Sequence, residues 1–91
     1  MHTKEHFEEV AAFIREHRSN ESNFETLYQK LNEEATAEGP DETYRTAVTE
    51  AKEKAAAYAK AKEAGGTTWP EFENFTSDFE KAVIAALKNA Q

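Results

Sequence analysis

The stretch that decides the fold is WPEFENFTSDFEKAVIAAL, residues 69–87. It holds the only tryptophan, three of the six phenylalanines and the densest run of large aliphatic residues in the chain. At about 100° per residue, Trp69, Phe72, Phe79, Val83 and Leu87 fall in one sector of a helical wheel, with Phe75 and Ala86 on one margin and Ile84 on the other. Such a stripe is a seam for burial, and the other segments must pack onto it. Two start signals compete within it. Thr68 stands three residues before Glu71, and Ser77 three before Glu80, each pair forming a capping box. The expectation is a short helical turn over 70–75 followed by, or fused to, a longer helix toward residue 91.

Upstream of the seam, Gly65-Gly66 ends a helix that Asp41 and Glu42 open with charge matched to the helix dipole. Its inward line is Tyr44, Ala47, Val48, Ala51, Ala55 and Tyr58. Alanine raises helix propensity and permits close approach of a neighbour, so bulk must come from the aromatic segment. Before Gly39-Pro40, which stops it, a second helix carries Phe24, Leu27, Tyr28, Leu31 and Ala35 on one narrow stripe, with Ser22 and Glu25 as its capping box. The first helix spans Met1 to Arg18, capped by Thr3, and buries Phe7, Val10, Ala11 and Ile14, widened by Phe13. The connections are short, as between antiparallel helical neighbours. The fold expected is all-α: a small antiparallel bundle of three main helices plus a short aromatic helix, four in total, forming one domain over 1–91.

Leu, Ile, Val and Phe make up 14 of the 91 residues, about 15%, below the level of roughly 20% at which a highly charged chain can stay disordered. The helical spacing of the apolar residues in every segment argues for folding. The chain has no cysteine, so it has no disulfide framework and no thiolate site. It lacks an apolar run long enough to span a bilayer and the basic and apolar regions of a signal peptide, which predicts a cytoplasmic protein. A formal net charge of −7 argues against direct binding to nucleic acid or an anionic membrane.

Little in the sequence points to catalysis. His2-Thr3-Lys4-Glu5-His6 resembles the H-x-x-E-H pattern of the inverzincin zinc proteases, which would imply two imidazole ligands one turn apart with a carboxylate base between them. A helix frays at its first residues, and a chain of this size leaves no cleft around such a metal. A solvated helix start is the reading, with no metal and no cofactor. His17, four residues after Phe13, falls at the edge of the first buried stripe. The serines Ser19, Ser22 and Ser77 sit at cap or turn positions, and Gly65-Gly66 lacks the lysine and spacing of a phosphate loop. The acidic pairs Glu8-Glu9, Glu33-Glu34 and Asp41-Glu42 are adjacent in sequence and point to different helical azimuths. The expectation is a chain that is not an enzyme.

The functional signal is charge asymmetry. Residues 1–42 hold 11 acidic and 4 basic residues, and residues 43–91 hold 7 of each. All the net charge therefore lies in the first two helices and the corner after them. Glu33, Glu34 and Glu38 lie near a helix C-terminus, where negative charge is unfavourable and solubility alone would not place it. Glu5, Glu9, Glu33, Glu34, Glu38, Asp41 and Glu42 are the candidate partner-binding residues. The partner is expected to be a protein with a basic surface, such as a nucleic-acid-handling enzyme, occluded by carboxylates standing where phosphates would sit. Small acidic inhibitors of the phage or mobile-element kind, some of them DNA mimics, offer the analogy of size and charge. The competing expectation is a structural module that forms a homodimer through the alanine and tyrosine face of the third helix.

Overall fold

The computed structural model describes residues 3–37 and 42–89. They form four α-helices: α1, Lys4–His17; α2, Phe24–Thr36; α3, Glu42–Glu63; and α4, Trp69–Asn89. A single 3-10 turn, Glu21–Asn23, joins α1 to α2. The all-α, four-helix architecture matches the sequence reading. The fourth helix does not match in length: it is one continuous helix of 21 residues, against 22 for α3.

The upstream start signal wins for α4. Pro70 falls in the first turn, where a missing N–H costs nothing and a fixed φ already suits a helix. The N–H of Phe72 bonds to the Thr68 carbonyl at 3.0 Å. Ser77 lies inside the helix and instead accepts from the Arg18 guanidinium at 3.1 Å. At the start of α1, Thr3 Oγ1 accepts from the His6 N–H at 3.1 Å, the cap expected from sequence. The expected Ser22 box does not form ahead of α2: Ser22 lies in the 3-10 turn, which Asn20 caps by accepting the Ser22 N–H on Oδ1 at 2.9 Å. Asn23 then turns its side-chain amide back to the His17 carbonyl at 3.1 Å, satisfying the end of α1. The helix ends at Thr36, ahead of Gly39-Pro40, which lie outside the described residues.

The end of α3 has the paired bonds of a Schellman stop, with Gly66 N–H on Ala61 O at 3.2 Å and Gly65 N–H on Lys62 O at 3.1 Å. Gly65 has φ of +76°, a conformation that L residues with a Cβ rarely take.

The antiparallel pair α3 and α4 forms the spine of the bundle, with α1 seated on α4 and α2 on α3. Phe72, Phe75, Phe79 and Val83 of α4 meet Ile14, Leu27, Leu31 and Val48 in a single core, all of them fully buried. Burying each of these large side chains stabilises the fold by about 1.5–3 kcal/mol relative to exposure. Phe75, read as marginal, sits at the centre of an aromatic column with Phe24, Phe72 and Phe79. Trp69, the first residue of α4, is 41% exposed and its ring lies 5.7 Å from that of Phe72.

The inward line of α3 is as expected, with Tyr44, Val48, Ala51, Ala55 and Tyr58 buried and Ala47 half-buried at the margin. Both α4 and α2 pack against α3.

Candidate protein-interaction surface

The described acidic residues divide by what their carboxylates touch. Glu34 is the exception to an outward acidic surface: it is 3% exposed. Its Oε1 accepts the Tyr44 hydroxyl at 2.5 Å, and the His6 Nε2 lies 2.8 and 2.9 Å from its two oxygens. It therefore belongs to the interior and not to a docking face, which corrects its place among the candidate residues. The helical wheel explains why. Glu34 is seven residues after Leu27, about 20° short of two full turns, so it lies beside Leu27 on the buried stripe. A carboxylate so placed needs donors, and α1 and α3 each supply one.

Tyr44 responds to this environment. Burial first, then the hydrogen bond and negative charge of Glu34, hold its phenol far above the ordinary tyrosine range. At the opposite end of the bundle, burial and then the charge and hydrogen bond of Glu21 also raise Tyr58. Glu21 accepts the Thr68 hydroxyl as well, which ties the 3-10 turn to the start of α4.

The Glu34 junction has a positional consequence. It joins the first turn of α1, the last turn of α2 and the first turn of α3, and so gathers the exposed side chains that flank it. Glu5 precedes His6, Glu33 precedes Glu34, and Glu42 stands two residues before Tyr44; all three are exposed. Glu9, one turn beyond Glu5, extends the acidic edge along α1 and is also exposed. Glu38 and Asp41 lie outside the described residues.

Of the basic residues of the same region, two close on α4 and one on Glu33. Arg15 Nε donates to Glu80 Oε2 of α4 at 3.0 Å, and Arg18 donates to the other oxygen of Glu80. Lys30 lies 5.3 Å over the Phe13 ring, and its Nζ is 3.7 Å from Glu33. Three of the four basic residues in 1–42 are thus engaged, two of them on a carboxylate belonging to α4. Among the described residues, Glu5, Glu9 and Glu42 have no ion pair.

His17 stacks on Phe13, with ring centroids 4.3 Å apart, and its Nδ1–H donates to the Phe13 carbonyl at 2.8 Å. His2 lies outside the described residues. Among the described residues no group of three or more His, Asp or Glu side chains is arranged to hold a metal ion, and no helix is long and apolar enough to cross a membrane.

Comparison with known protein families, with curated proteins and with solved structures finds no match to this chain.

Proposed function

We propose that this chain is a non-enzymatic protein-binding module, an acidic inhibitor or regulator that docks one end of its bundle on a basic surface of a nucleic-acid-handling protein. The observation that carries this reading is the exposure of Glu5, Glu9, Glu33 and Glu42 around the Glu34 junction, with Glu5, Glu9 and Glu42 in no ion pair among the described residues. A carboxylate edge of which Glu33 alone is paired among the described residues attracts a basic partner, raises its rate of encounter and rejects acidic surfaces. Held on three helix ends, these carboxylates keep a fixed spacing and lose little freedom on binding.

The test is capture of partners from the native host with immobilised protein, followed by competition with duplex DNA. A partner displaced by DNA and lost in the triple variant Glu5→Lys, Glu9→Lys, Glu42→Lys supports the reading. Capture that is indifferent to DNA, to salt and to that variant would remove it.

A further inference from the structure

We draw no further inference here: the strongest candidate, the apolar surface patch that the exposed Trp69 makes at the start of α4, carries nothing because no feature of the structure shows what covers it.

Discussion

Glu34 converts a surface-type residue into the joint of three helices, and its energetics follow from burial. Glu34→Ala would leave the buried Tyr44 hydroxyl without the acceptor it now has in Glu34 and remove the attachment of His6. The expected loss is about 3 kcal/mol, measured by denaturant unfolding. Glu34→Gln keeps an acceptor and should lose less, about 1–2 kcal/mol. A charge reversal at Glu34 would unfold the protein and so cannot test partner binding, whereas Glu5, Glu9 and Glu42 can be reversed with stability changes within about 0.5 kcal/mol. The pH dependence has a definite sign. Tyr44 and Tyr58 hold their protons more tightly folded than unfolded, so their contribution is complete below the unfolded phenol value near 10 and is lost as pH rises above it. Alkaline melting curves should show Tyr44→Phe with a flatter decline above that pH than the parent chain. The burial of Glu34 was readable from its angle beside Leu27, but charge conceals it when residues are sorted by polarity before azimuth. Its partners were not readable, since His6 and Tyr44 are 28 and 10 residues away and only packing brings them together.

At the scale of elements, α3 is ended by backbone geometry alone. A Cβ on Gly65 would meet nothing within 4 Å, yet φ of +76° penalises it. Gly65→Ala is therefore expected to cost about 1 kcal/mol, purely as strain. At Gly66, with ordinary φ and only the Ala61 carbonyl at 4.0 Å, alanine should be nearly neutral; thermal melts of the two variants make the comparison. The stop was legible from Gly65-Gly66, and so were the inward lines of α1, α2 and α3, because apolar spacing reports a face directly. The start of α4 was less so. Two capping boxes of equal quality stood nine residues apart, and the choice depended on tertiary partners. Thr68 bonds to Glu21, and Ser77 is held by Arg18, so neither hydroxyl serves as sequence alone would assign it. Phe75 illustrates the same limit: a margin on an isolated wheel becomes a centre once two helices press from different sides.

Across the whole molecule, the distribution of charge is set by which helix each arginine serves. Because Arg15 and Arg18 close on Glu80, Glu80→Gln should loosen α1 from α4 by about 1 kcal/mol, read from chemical denaturation. Arg15 and Arg18 stand at the far end of α1 from Glu5, so salt-sensitive partner binding at the acidic edge should change little, which a titration at two ionic strengths would check. The asymmetry between 1–42 and 43–91 was visible in the sequence. That three acids share one end was not, because it depends on α1, α2 and α3 meeting at a buried junction. The seating of α1 on α4 also bears on biosynthesis. A ribosome releases α1 well before α4, so Phe7 can meet Tyr44 of α3 early, while whatever part of the greasy stripe rests on α4 stays uncovered on the nascent chain until that helix emerges.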